Sequence, residues 1–233
     1  LRISDFKVQV DVVPKIIMIG TSSFFMYAYG SVMVAMHNAL FAQYGSAMLI
    51  GAYAILGYIV TVYYLIAEGI ANGMQPLVSF NHGARNQANV RKLLQVAMGT
   101  SVLGGVAFVG LMNLFPYELV SVFNNADQQL IDSTVIGIRL HMFALFLDGF
   151  LVVAAAYYQS VNKGSKAMFV TLGNMLVQLP FLFVMPKLFG VTGIWLAFPL
   201  SNIALSLVVV SMLWRDVKKL LNEASAEPTV QAC

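Results

Sequence analysis

From Ile16 to Ala67 the chain contains no Asp, Glu, Lys or Arg. Roughly 20 apolar residues cross a bilayer once, so this run is far too long for a single crossing and must reverse within itself. The only plausible turn is "QYGSA", Gln43 to Ala47, where glycine permits the positive φ of a tight reversal and its neighbours can meet interfacial water. Composition points the same way. Hydrophobic residues make up 59% of the 233 and charged residues 10%, against about 25% charged in a soluble domain.

Continuing along the chain gives six apolar spans: Val13–Gln43, Ser46–Asn72, Val90–Phe115, Ile131–Ser160, Ala167–Pro186 and Val191–Trp214. In lipid every backbone polar group must be satisfied within its own element, and runs of this length fit helices, not barrel strands of about 10 residues. The expected fold is an all-α integral membrane protein, a six-transmembrane-helix bundle over 13–214, with a connector at 1–12 and a tail at 215–233. A soluble protein with buried strands would not sustain such runs.

Charge sets the orientation. Of the 13 Lys and Arg residues, all but Lys187 and Arg139 fall in segments that share one side if both termini are cytoplasmic, as the positive-inside rule requires. The pI of about 9.0 therefore reports topology, and no nucleic-acid partner is expected. The expected location is the cell (inner) membrane, multi-pass, with the lipid bilayer as partner. The first residue is not Met and the start reads as a connector, so a fragment is expected. Cys233 stands alone in a polar tail, and disulfides play no part.

An ionisable residue at mid-membrane costs at least about 2.5 to 3.5 kcal/mol when charged and unpaired, and so invites a functional hypothesis. Two carboxylates qualify. Asp148 lies near the middle of span four, with His141 two turns before it and Gln159 about three turns after it, so all three are expected on one helix face. Glu68 lies in span two with Tyr64 and Asn72 one turn to each side and Gln75 beyond, a polar stripe on an apolar helix. Span one offers Tyr27, Ser31, His37 and Asn38. Asn174 with Gln178, and Asn202 with Ser206, pair at one-turn spacing on spans five and six. Such groups either line a cavity or hold helices together. His37 and His141 are expected to be uncharged and hydrogen-bonded between helices in preference to acting as proton sensors.

The stretch "GMQPLVSFNHGARNQANVRKL", Gly73 to Leu93, interrupts the apolar pattern. It reads as a long helix leaving the membrane, loosened by Gly69 and Gly73, kinked at Pro76 and closed by Gly83 as a C-cap. Here the sequence resembles the multidrug and toxic compound extrusion transporters, in which a glycine, a glutamine-proline pair and a "YGA" or "NHGA" turn followed by a basic residue recur; the matching positions are Gly73, Gln75, Pro76, Gly83 and Arg85. "AAAYYQSVNKGSKAM" and "PKLFGVTGIWLAFPLSN" resemble two later segments of that family, the latter at Gly190, Gly193, Trp195 and Ala197. Three matches in order cover essentially the whole chain.

The resemblance implies one lobe of a two-lobe, inverted-V transporter, helices seven to twelve, with an amino-terminal six-helix lobe missing from this sequence. It implies antiport: an inward H+ or Na+ drives outward movement of small organic substrates, amphiphilic and cationic, with no other cofactor. Some members place a coupling carboxylate in the tenth helix, where Asp148 falls; others have an acidic residue in the seventh, which this chain lacks. No phosphate-binding loop, HExxH, GxSxG or cysteine-histidine group is present, so an enzyme is not expected. The rival reading within the architecture is a lipid-linked oligosaccharide flippase, which would need more cations lining its cavity.

Overall fold

The structure, a computed structural model, describes the backbone of residues 13–226, and side chains at Val13 and from 28 to 218. The connector and Cys233 lie outside the described residues. The chain divides into two units, Leu1–His37 and Asn38–Cys233. In the first, the described backbone is the body of α1 (Val13–Tyr44). Met33 and His37 are buried, and His37 Nδ1 lies 2.8 Å from the Met33 carbonyl one turn back.

The second unit begins with the last turns of α1, which end at Tyr44. A short turn at Gly45 and Ser46 leads into α2 (Ala47–Gly83), where the "QYGSA" reading expects it, but Gly45 is not at positive φ; its lack of a side chain instead leaves room for Leu49 and the Phe41 carbonyl. With 37 residues at about 1.5 Å each, α2 is roughly 55 Å long, well beyond a hydrocarbon core of about 30 Å. It carries Pro76 internally and is long enough to run on past a membrane. Its closure differs from expectation. Gly83 is the last helical residue, and the left-handed position is Arg85, at φ 57. The N–H of Asn86 bonds the Asn81 carbonyl at 2.9 Å and that of Arg85 bonds His82 at 3.1 Å, the Schellman pattern. Asn86 then caps α3 (Gln87–Leu114) by accepting from the Asn89 N–H, so the left-handed residue must stand immediately before it, two places beyond Gly83.

After α3 and the short α4 (Pro116–Ser121), span four is two helices: α5 (Gln128–His141), capped by the Asp127 carboxylate, and α6 (Leu145–Ser160). They meet at a bend of 52°. α6 closes as α2 does, with Asn162 at φ 56 and the Lys163 N–H on the Tyr158 carbonyl at 2.8 Å.

α7 (Gly164–Ala226) holds spans five and six as two limbs that part at Gly190, where φ is 55 and ψ −133. Glycine alone takes that conformation freely. The expected end of span five at Pro186 therefore moves to Gly190, because a proline removes one helical N–H whereas the reversal needs a positive φ. Lys166 at the start of α7 bonds Asp216 near its far end, so the limbs run antiparallel. The second limb stays helical to Ala226, well into the expected tail. Among the described residues, α2, α3 and α7 are long and apolar enough to cross a membrane, and α5 with α6 qualifies as one bent crossing.

α6 packs against α2, α3 and α7, and the apolar core falls into two clusters along it. One gathers Leu56, Tyr63, Ile138, Leu145 and Trp195. The other gathers Ala71, Leu94, Leu151, Tyr157 and Leu205.

Candidate functional site

Polar side chains meet at the joint between those two clusters. On α6, Asp148 stands between Leu145 of one cluster and Leu151 of the other; on α2, Tyr64 stands between Tyr63 and Ala71; on α7, Asn202 stands between Trp195 and Leu205. The register that brings them together is set by α2 and α6. Tyr64 bonds Asp148, and Gln75 bonds Gln159 at 3.0 Å. The two contacts are about three turns apart on each helix and in the same order, so the two helices run parallel.

Asp148 is buried, at 1% exposure. The Tyr64 hydroxyl donates to its Oδ2, and the Asn174 amide donates to Oδ1 at 3.5 Å. Asn202, fully buried, is close enough to act on the same carboxylate, although neither of its side-chain polar atoms makes a hydrogen bond. Every donor around Asp148 is neutral. Among the described residues the only ion pairs run from Lys163 and Lys166 to Asp216.

Sequence reasoning missed the support behind this carboxylate. Gly149 follows Asp148, and a Cβ there would collide with the Tyr63 hydroxyl and come within 2.6 Å of Ser101 Oγ. Tyr63 is buried and its hydroxyl reaches the Ser101 carbonyl at 3.5 Å. A side chain at 149 would push α6 off α2 and α3. The only signal in sequence was a glycine beside a buried acid.

The expected face shared by His141, Asp148 and Gln159 does not form. The break between α5 and α6 separates His141 from Asp148, and helical phase is lost across it. His141 is instead buried with Nδ1 3.0 Å from the Trp195 carbonyl and its ring stacked on Phe198 at 4.9 Å, a hydrogen-bonded histidine between helices. Gln159 serves the α2–α6 seam. In the polar stripe of α2, Tyr64 and Gln75 turn to α6 while Glu68 and Asn72 are exposed. Gln178 and Ser206 are buried beside the cluster's own helices. Asn38 is half-buried. His37 belongs to the first unit. The motif residues Gly73, Pro76, Gly83 and Arg85 are exposed on and beyond the far end of α2.

A second buried acid lies at the end of the molecule that carries the 161–163 turn. Asp216 accepts from Lys166 Nζ at 2.6 and 2.7 Å, with Lys163 Nζ at 3.6 Å, and Tyr158 lies against both, its ring 5.6 Å from the Lys166 ammonium.

A cluster of neutral donors around one buried acid thus lies among helices of membrane-spanning length. The MatE family profile matches residues 19–184. The chain belongs to the MatE family. It is similar to the multidrug export protein MepA of Staphylococcus saprophyticus, 26% identical over 208 residues, which is 88% of this chain and 46% of that protein, and to MepA of Staphylococcus aureus, 26% identical over 209 residues with the same coverage. Those relatives are transporters, not enzymes. Among solved structures, a MOP superfamily transporter from Pyrococcus furiosus matches with a TM-score of 0.79 at 17% identity, over 94% of this chain and 50% of that one. An inward-facing MATE family transporter matches with a TM-score of 0.81 at 18% identity, over 95% and 51%. The chain thus spans about half the length of the relatives it matches, and its fold is that of one MatE lobe.

Proposed function

We propose that this lobe is half of a secondary active multidrug exporter, in which inward movement of H+ or Na+ drives amphiphilic, cationic organic compounds outward. The observation that carries the reading is Asp148: an acid buried in the first turn of α6, just after the break of span four, held by Tyr64 and Asn174 with Asn202 beside it, and paired with no cationic side chain among the described residues. A charge so placed is costly without a counter-ion, so the carboxylate suits a group that alternately takes up a proton or cation and releases it. Oδ1 of Asn174 and Oδ1 of Asn202, neither in a hydrogen bond, add oxygen donors of the kind hard cations prefer. Exchange of one inward ion for one outward monocation moves no net charge and is driven by the ion's concentration gradient; each further inward charge adds about 2.3 kcal/mol per 100 mV, enough for a gradient of more than tenfold. The fold likeness extends to outward-facing and inward-facing transporters with TM-scores of 0.79 and 0.81, which favours lobes that rock as units about a site between them. By the positive-inside rule both termini are cytoplasmic.

The test is Asp148→Asn in the full-length transporter, reconstituted in proteoliposomes with an imposed ion gradient. The substitution removes the charge at constant shape, so uphill accumulation of a cationic dye should disappear while the protein still folds. Retained uphill accumulation would reject Asp148 as the coupling group, and anionic-lipid transport surviving it would favour a flippase.

A further inference from the structure

The two limbs of α7 leave an apolar groove of about 630 Å³ between them, walled by Met168, Leu172, Leu176 and Val208 and floored by Gly173 and Leu205. Its one polar lining residue is Ser165. From Ser165 to Leu176 the groove follows about three turns, roughly 17 Å, close to half of a hydrocarbon core of about 30 Å. It is one leaflet deep and opens along the face of a membrane-spanning pair.

Cations gather at its Ser165 end. Lys163 and Lys166 reach Asp216 yet keep 38% side-chain exposure. Arg215, next to Asp216 in the chain, is exposed and lies two turns beyond Val208 on the same helix face. Two of these cations meet the one buried carboxylate and Arg215 adds a third positive charge, so the rim stays positive after the internal pairs form. No acid other than Asp216 is paired with them among the described residues.

We propose that this groove is a specific site for an anionic phospholipid, with an acyl chain between the α7 limbs and the phosphate on the Lys163, Lys166 and Arg215 rim. An apolar slot one leaflet deep that ends in cations is complementary to an anionic amphiphile at both ends. A zwitterionic lipid would fill the slot while adding its own cation to the rim. A second copy of the chain would need an acidic patch level with an apolar ridge. In the proposed orientation the rim faces the cytoplasmic leaflet, whose anionic lipids favour basic pockets between helices. The site does not depend on the antiport reading.

The full-length transporter, equilibrated with equal amounts of phosphatidylglycerol and phosphatidylcholine, is examined by native mass spectrometry for the most tightly held lipid. The wild type should retain phosphatidylglycerol in preference. K163Q/R215Q should weaken that preference by roughly twenty-five-fold, about fivefold per cation, with Lys166 kept so that Asp216 is not left unpaired. Ala204 also lines the slot; A204F, which fills it from there, should release the lipid, and melting curves establish that both variants fold. Equal retention of the two lipids by the wild type, an unchanged preference in K163Q/R215Q, a lipid held by A204F as tightly as before, or a dimer that A204F splits would each overturn the proposal.

Discussion

Asp148 and Asp216 are both buried, at 1% and 4% exposure, and their surroundings differ in one respect. Asp216 has an ammonium at 2.6 Å and a second at 3.6 Å. Asp148 has a phenol and amides. A carboxylate with a fixed cation has its charge settled by the fold, and removing either partner leaves the other uncompensated. One held by neutral donors keeps its orientation whether its charge is balanced by a proton, a cation or a substrate. Burial of an acid in this lobe therefore separates two roles only when the charge of its partners is read with it: Asp216 fastens the α6–α7 turn to the last helix, and Asp148, with no fixed cation, is the one we propose exchanges what it binds.

The sharpest contrast is between Asp148→Asn and Asp216→Asn assayed side by side in the same liposomes. The first should abolish ion-driven accumulation; the second should lower the amount of folded protein and leave transport per folded molecule unchanged. Next in size is Lys166→Met, which strips Asp216 of its near partner. Breaking a buried pair costs about 3 to 5 kcal/mol, reduced here because the Lys166 side chain is 38% exposed and Lys163 remains. A loss of about 2 kcal/mol is expected after that solvent screening, seen as a lower thermal midpoint that K166M/D216L partly restores. The smallest effect should come from Tyr64→Phe, which leaves Asp148 with its amide neighbours. One hydrogen bond to a charged group amounts to about tenfold, expected in the apparent affinity for the driving ion with little change in melting. Should Tyr64→Phe behave like Lys166→Met, the distinction between the two acids fails.

The spans were legible in sequence because hydropathy acts at the scale of a whole helix, and the glycine turns at Gly45 and Gly190 mark where it reverses. The break of span four was not. "HMFAL", His141 to Leu145, contains neither proline nor glycine, so the loss of phase between His141 and Asp148 depends on packing that no local residue signals. Tyr64, Asp148, Asn174 and Asn202 were each identifiable as polar residues in apolar helices, but the α2–α6 register that joins two of them is a tertiary fact. Arg85 was overlooked as the left-handed residue because Gly83 is the better glycine and the need of Asn86 to cap α3 is invisible without coordinates. Asp216 sits among cations in "WRDVKKLL", a local pattern that does not indicate its partner; its pairing with Lys166 requires the α7 limbs to lie antiparallel.

The most direct measurement of the central claim is ion release on drug binding. A cationic dye is added to the purified full-length transporter in weak buffer, with proton release followed by a pH indicator and sodium release by a sodium-sensitive probe. If Asp148 exchanges its counter-ion for substrate, the wild type releases one of the two ions and Asp148→Asn releases neither. Release by Asp148→Asn equal to that of the wild type would contradict the account and place coupling outside this lobe.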